Sequence, residues 1–304
     1  MTNNLIRLYL PLIFFFFSVC VSAQTSTIES KDSLINVNTY RFADTLSLDL
    51  YRPVTPRSEA PLLLLVHGGG FYTGSRDGER EMRFAKTMAL SGFPVASISY
   101  RLSRKGKPEG FGCQCPAREK IETFKMAVED VSSAIRVLTE NKSDWGLGNE
   151  TFVLVGSSAG AEAILQYVLM KNHPAFKGMA DPKGKVAGLI SFAGAVLDTS
   201  YIDEADAVPA LLFHGTDDKL VPFGSAPHHF CDDSAPGYLP LYGSAAIADS
   251  YRKLGSTFIL VKVKGGGHEW ANLAYEQTDL ITRFLEEYVI SEQRYPEVIG
   301  KTTR

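Results

Sequence analysis

TFVLVGSSAGAEAILQYVL, residues 151–169, runs an apolar stretch, a tight turn and a second apolar stretch in immediate succession. Phe152-Val153-Leu154-Val155 is of buried-strand type, whereas Ala161, Ile164, Leu165, Val168 and Leu169 recur at helical spacing. Between them lies Gly156-Ser157-Ser158-Ala159-Gly160. A Gly-x-Ser-x-Gly turn from strand to helix needs small residues at both flanks because the chain reverses sharply, which strains the serine backbone and exposes its hydroxyl. The pentapeptide alone suits an ordinary turn; the strand before it and the helix after it point to a nucleophile.

A serine hydroxyl is a poor nucleophile near neutral pH, so a base must accept its proton and a third group must orient that base. Among six histidines, His268 stands in the glycine-rich turn Gly265-Gly266-Gly267-His268-Glu269-Trp270, after the strand-like Phe258 to Val263. Such a loop can hold an imidazole over the serine. His214-Gly215-Thr216-Asp217-Asp218 follows another buried-type run, Val208 to Phe213, so both carboxylates fall just past a strand end. Upstream, His67-Gly68-Gly69-Gly70 follows the strand-like Leu62 to Val66.

Serine, acid and histidine in this chain order, with His-Gly-Gly-Gly upstream, resemble the α/β-hydrolases of the esterase and lipase group over most of Leu46 to Val289. The resemblance implies a triad of Ser158, Asp218 and His268, because His214 to Pro222 looks like the acid-bearing turn of that group, with the carboxylate on its fifth residue. Asp217 competes for that role. It also implies an oxyanion hole built from the backbone N–H groups of Gly69, Gly70 and Ala159. Glycine lets the backbone approach a ligand closely, and Ala159 begins a helix whose unpaired N–H groups favour negative charge.

Three further histidines are set aside: His67 as structural, bonded to its own loop, His173 beside Pro174 as a surface residue at a helix end, and His214 as packed near Asp218.

The chain opens with Arg7, a nearly uncharged run from Leu8 to Val21 and small Ser22-Ala23 before Gln24. That reads as a signal peptide over residues 1–23, with export to the periplasm or beyond and no stable membrane insertion. A retained anchor is the competing reading. Lipidation at Cys20 is disfavoured by Val19, where a small residue is preferred. Residues 24–304, roughly 280, suit a single α/β catalytic domain. The formal charge of −3 becomes −4 once Arg7 leaves, and no Lys/Arg cluster marks a nucleic-acid face.

Cysteines of the mature chain are confined to two loops, Cys113 and Cys115 in one and Cys231 in the other. In an exported protein a disulfide from Cys231 to either partner follows, leaving one thiol free. A metal site from these cysteines with His228 or His229 is the sharper alternative, but Cys-x-Cys is an unusual zinc spacing.

Two antiparallel-type strands, Ile35 to Phe42 and Leu46 to Tyr51, precede strand-like runs at Leu62–His67, Val95–Tyr100, Phe152–Gly156, Val186–Phe192, Ala210–His214 and Phe258–Val263. Helical stretches separate the later runs, the clearest being Glu119 to Glu140, and the tail after Val289 turns polar. The expected architecture is an α/β-hydrolase fold: a mostly parallel central sheet, antiparallel at its N-terminal strands, with helices on both faces.

Function follows as an expectation. A secreted carboxylesterase forming an acyl-enzyme on small or carbohydrate-borne esters, acetyl or feruloyl groups among them, would need neither metal nor organic cofactor. A serine peptidase of the same fold and a non-catalytic binding protein on the hydrolase scaffold are the alternatives.

Overall fold

Leu62, Leu64 and Val66 pack into one hydrophobic cluster while Leu63 and Leu65 pack into another, so a five-residue apolar strand serves two cores at once. Side chains alternate across a strand, and a strand buried on both faces therefore reads as an unbroken apolar run. The same division holds for Phe152 and Leu154 against Val153 and Val155. The computed structural model describes residues 34–148, 151–179, 184–294 and 296–302; the expected signal peptide lies outside them.

The strands are β1 (Ile35–Arg41), β2 (Ser47–Pro53), β3 (Leu62–Val66), β4 (Val95–Ile98), β5 (Thr151–Ser157), β6 (Lys185–Phe192), β7 (Ala195–Val196), β8 (Ala210–Gly215), β9 (Ser225–Pro227), β10 (Pro240–Gly243), β11 (Phe258–Lys264) and β12 (Pro296–Thr302). Nine form one sheet in the order β1-β2-β4-β3-β5-β6-β8-β11-β12. β1 with β2 and β2 with β4 run antiparallel, and every later pair in that sheet is parallel. β7, β10 and β9 make a separate small antiparallel sheet.

Six α-helices are described: α1 (Glu79–Leu90), α2 (Ala117–Glu140), α3 (Ala159–Leu169), α4 (Ser244–Leu254), α5 (Trp270–Leu273) and α6 (Thr278–Phe284). Phe124 of α2, Ile164 of α3 and Ile247 of α4 belong to one core, and Phe84 of α1 with Ile281 and Phe284 of α6 to the other. The helices thus cover both sheet faces. α2 follows the apolar stripe read from the sequence, with Phe124, Val128, Val131, Ile135 and Leu138 buried, and starts after Pro116, which cannot continue a helix backwards. α3 is buried on all sides, largely apolar but carrying Glu162 and Gln166 into the interior.

Three features depart from the sequence reading. β4 stops at Ile98, after which the chain turns and the Tyr100 hydroxyl donates to His67 O at 3.1 Å. The segment after Val289, read as a polar tail, adds β12 to the edge of the sheet, with Pro296 as its first residue, a position where a strand tolerates the missing N–H. The short strands β7, β9 and β10 were not anticipated, because two to four residues carry too little periodicity to register.

Two loops lie past the carboxyl ends of the strands and are joined there. Cys113 and Cys231 form a disulfide across 118 residues, with Cα atoms 5.3 Å apart, and Cys115 is the buried free thiol. The first loop is also held to α2, where Arg101 meets Asp130 at 2.8 Å and buried Arg104 meets Glu119 at 2.5 Å. A crosslink over so long a span removes considerable freedom from the unfolded chain.

Two outcomes follow for stability. Cys113→Ser with Cys231→Ser should lower unfolding free energy by about 2–4 kcal/mol in denaturant titration, and reductant should reproduce the loss in the unmutated protein but not add to it in the variant. Gly160→Ala should cost about 3 kcal/mol or prevent folding, since the added methyl would lie 2.1 Å from Val66 O. Gly224→Ala, which meets nothing within 4 Å, should stay within about 0.5 kcal/mol of the parent.

Candidate active site

Ser158 adopts φ 50°, ψ −118°, left-handed backbone that a side-chain-bearing residue avoids unless its surroundings impose it. The imposition comes from three sides. A methyl on Gly156 would lie 2.5 Å from Gly160 O, and one on Gly160 would strike β3 at Val66 O, so α3 crosses the sheet at a distance only glycine permits. Ser158 N donates to Phe192 O at 2.8 Å, and Ser157 Oγ donates to Ala271 O at 2.8 Å. The hydroxyl of Ser158 is left half-buried at the rim of a cavity.

The loops after β8 and β11 are welded together by backbone contacts. Thr216 N donates to Val263 O at 2.9 Å, Asp217 N to Gly266 O at 2.8 Å, and Gly265 N to Thr216 Oγ1 at 2.9 Å. Gly215 has no room for a Cβ, which would sit 2.3 Å from Gly266 O. The consequence is registry: His268 Nδ1 stands 2.7 Å from Asp218 Oδ2, while its Nε2 stands 2.8 Å from Ser158 Oγ. Asp217, the competing carboxylate, is exposed and accepts instead from the Thr216 hydroxyl.

Asp218 is 1% exposed, an environment that by itself would raise its carboxyl pKa. Bonds from His214 and His268, and the positive charge those rings can carry, outweigh burial and hold it well below the usual carboxylate range. Its Oδ1 further accepts from the N–H groups of Leu220 at 2.8 Å and Val221 at 3.0 Å. A buried carboxylate is tolerable only when so satisfied. His214 lies where the sequence reading put it, beside Asp218 at 3.4 Å, with its Nδ1 2.9 Å from Ser244 Oγ.

The glycine loop passes alongside the serine. A methyl on Gly68 would lie 3.4 Å from Ser158 Cβ, and Gly69 and Gly70 take φ 115° and 60°. Among the described residues the N–H groups of Gly69, Gly70 and Ala159 have no hydrogen-bond acceptor. His67 turns away from the serine: its Nδ1–H donates to Gly68 O at 2.7 Å, its ring stacks on Tyr100 at 4.4 Å, and burial lowers its pKa.

The cavity encloses about 690 Å³ and is lined by the glycine loop, Tyr72, Ser158, His268, Phe111 and the His228–His229 turn. It also contains Glu162, which the sequence reading passed over as part of the α3 stretch. The signal was present, since Glu162 is the only charged residue in an otherwise apolar run one turn past Ser158. Its burial pushes the carboxyl up to about 8, against the pull of Lys120 and with the repulsion of Asp218. The suggested cysteine and histidine metal site is not assembled: the disulfide consumes two thiols, and no metal-type cluster occurs among the described residues.

The BD-FAE family model matches residues 48–196, just under half of the chain, spanning the glycine loop and the serine turn. Gut esterase 1 of Caenorhabditis briggsae is 26% identical over 176 residues, 58% of this chain and 29% of that protein. Ethyl acetate hydrolase of Pseudomonas putida is 28% identical over 150 residues, 49% of this chain and 41% of that protein. The chain thus spans well under half the length of these curated relatives. Esterase 2 of Thermogutta terrifontis, solved as its paraoxon-phosphorylated form, shares 20% identity with a TM-score of 0.59 over 84% of this chain and 94% of that one. The chain shares the fold of that esterase, an α/β-hydrolase fold with a mostly parallel central sheet.

Proposed function

We propose that the protein is a serine carboxylesterase in which Ser158 is the nucleophile, His268 the general base and acid, and Asp218 the residue that orients His268. The observation that carries this is the continuous relay from Ser158 Oγ through the His268 ring to Asp218, 2.8 Å and 2.7 Å long. Ser158 Oγ attacks the ester carbonyl carbon as its proton passes to His268 Nε2, and the carbonyl oxygen becomes an oxyanion received by the N–H groups of Gly69, Gly70 and Ala159. Collapse breaks the bond to the alkoxy oxygen, which takes the proton from His268 and departs. Water then gives a proton to His268 and attacks the acyl carbon, and the second tetrahedral adduct returns that proton to Ser158 Oγ as the acid leaves. Asp218 stabilises the imidazolium formed in each half.

We also propose that the chain is exported, by a signal peptide over residues 1–23, and works in the periplasm or outside the cell as a single catalytic domain, residues 24–304. The apolar run Leu8 to Val21 and the Cys113–Cys231 disulfide support that placement, because such bonds persist in oxidising compartments. Small or carbohydrate-borne esters, acetyl or feruloyl among them, are the proposed substrates.

Purified protein should hydrolyse p-nitrophenyl acetate and butyrate, and Ser158→Ala should remove turnover by about 10⁴-fold or more. Paraoxon should add a single phosphoryl mass to Ser158 and to no site in Ser158→Ala. Asp218→Asn should lower kcat by about 10³–10⁴-fold, with Asp217→Asn close to the parent. Comparable losses in both aspartate variants would overturn the role given to Asp218. Turnover of peptide amides in preference to esters would favour a peptidase, and silence toward both substrates and paraoxon a binding protein.

A further inference from the structure

We propose that Glu162 and His228 form a polar subsite in the Ser158 cavity that binds a hydroxyl group carried by the ester within a few atoms of its reacting carbonyl. This deepens the esterase reading and rests on it.

The two side chains come from different parts of the fold and meet inside the cavity. Glu162 stands one turn past Ser158 on α3, its N–H bonded to Ser158 O at 2.8 Å, and both residues line the same cavity. His228 enters from the turn after β9, where His229 and Phe230 take φ 59° and 52° and the disulfide at Cys231 anchors the strained backbone. Backbone bonds from His228 N to Leu239 O and from His229 N to Leu220 O, both 2.8 Å, hold the turn in place. Nothing in the proposed ester chemistry uses either residue.

Both side chains are 1% exposed, yet both are incompletely partnered. Glu162 Oε1 lies 3.3 Å from His228 Nε2 without making a hydrogen bond, and His228 Nδ1 has no partner among the described residues. Buried polar groups in folded proteins are nearly always satisfied, and an unmade bond there is costly. The Phe111 ring stands edge-on to His228 at 5.2 Å, and the rest of the lining is mixed, with Leu220 and Val221 as well as Arg80, Glu81 and Glu109. Glu162 and His228 both line the cavity that holds Ser158, the volume a substrate of the proposed reaction fills.

The chemistry of the pair selects the ligand class. Burial pushes the Glu162 carboxyl up to about 8, which keeps it protonated at neutral pH, and burial, with Lys120 nearby, holds His228 well below its usual range and therefore neutral. Together they present donors and acceptors without net charge. A charged group would find no opposite charge in this pair, whereas a hydroxyl both donates and accepts and suits it. A site built for a hydroxyl discriminates strongly against an analogue lacking it, because the buried polar atoms then stay unpaired.

The test is selectivity within matched esters, measured first as binding to Ser158→Ala protein by calorimetric titration. Ethyl 3-hydroxybutyrate against ethyl butyrate reads the acyl side, and 2,3-dihydroxypropyl butyrate against propyl butyrate the alcohol side. The hydroxylated member of at least one pair should bind at least about 10-fold tighter, and Glu162→Leu in the same background should bring that ratio to within about twofold. Glu162→Gln, which keeps the hydrogen-bonding capacity, should retain most of it. Equal affinity for both members of both pairs overturns the proposal, as does a preference that survives Glu162→Leu; contacts that merely hold the His228 turn against α3 would leave the ratio unmoved. If Glu162→Leu does not fold, the first comparison decides alone. A binding preference in a protein whose parent form hydrolyses no ester would sink the esterase reading and leave the subsite standing.

Discussion

The close crossing of α3 over the end of β3 is the contact on which the rest of the molecule depends. Gly160 lies against Val66 O and Gly156 against Gly160, with no space for a methyl at either position. That proximity forces Ser158 into left-handed backbone at a cost of about 1–3 kcal/mol. The strain persists because α3 is buried on every side and Ser158 N is tied to Phe192 O, so relaxing one residue would mean lifting a whole helix from the core.

Once the serine is held there, parallel topology does the rest. Strands running the same way deliver their following loops to one edge, and helix N-termini gather there with them. β3 supplies the glycine loop, β5 the serine, β8 the carboxylate and β11 the imidazole. Bringing Asp218 into a nearly dry environment is unfavourable in itself, and four hydrogen-bonding contacts, two from backbone and two from histidines, make it tolerable. The acid and histidine loops are joined by two backbone hydrogen bonds and by the Thr216 hydroxyl, which fixes Asp218 and His268 in register.

Much of the sheet could be read in advance because β3, β5 and β8 are buried on both faces and read as largely apolar runs. α2 was equally plain from its repeating stripe. The edge strand β12 was not, since a strand paired on one side follows no strong apolar pattern, and β7, β9 and β10 are shorter than any periodicity. The site divided along similar lines. Ser158, His268 and the glycine loop carry local signatures, while Glu162 hid inside a helix read only for its apolar neighbours.

What the amino-acid order determined by itself was the sequence of strand, turn and helix around Ser158, the class of fold, and a short list of candidate residues for the proposed acyl transfer. These are properties of local spacing, where backbone sterics and apolar periodicity act over a few residues. The sequence reading favoured Asp218 and left Asp217 open; only the tertiary structure shows that Asp218 is the carboxylate lying against His268, that Cys113 rather than Cys115 partners Cys231, and that Glu162 meets His228. Adjacent or near-adjacent residues are almost indistinguishable along the chain, but in strand-end loops they point in different directions, and contact depends on direction.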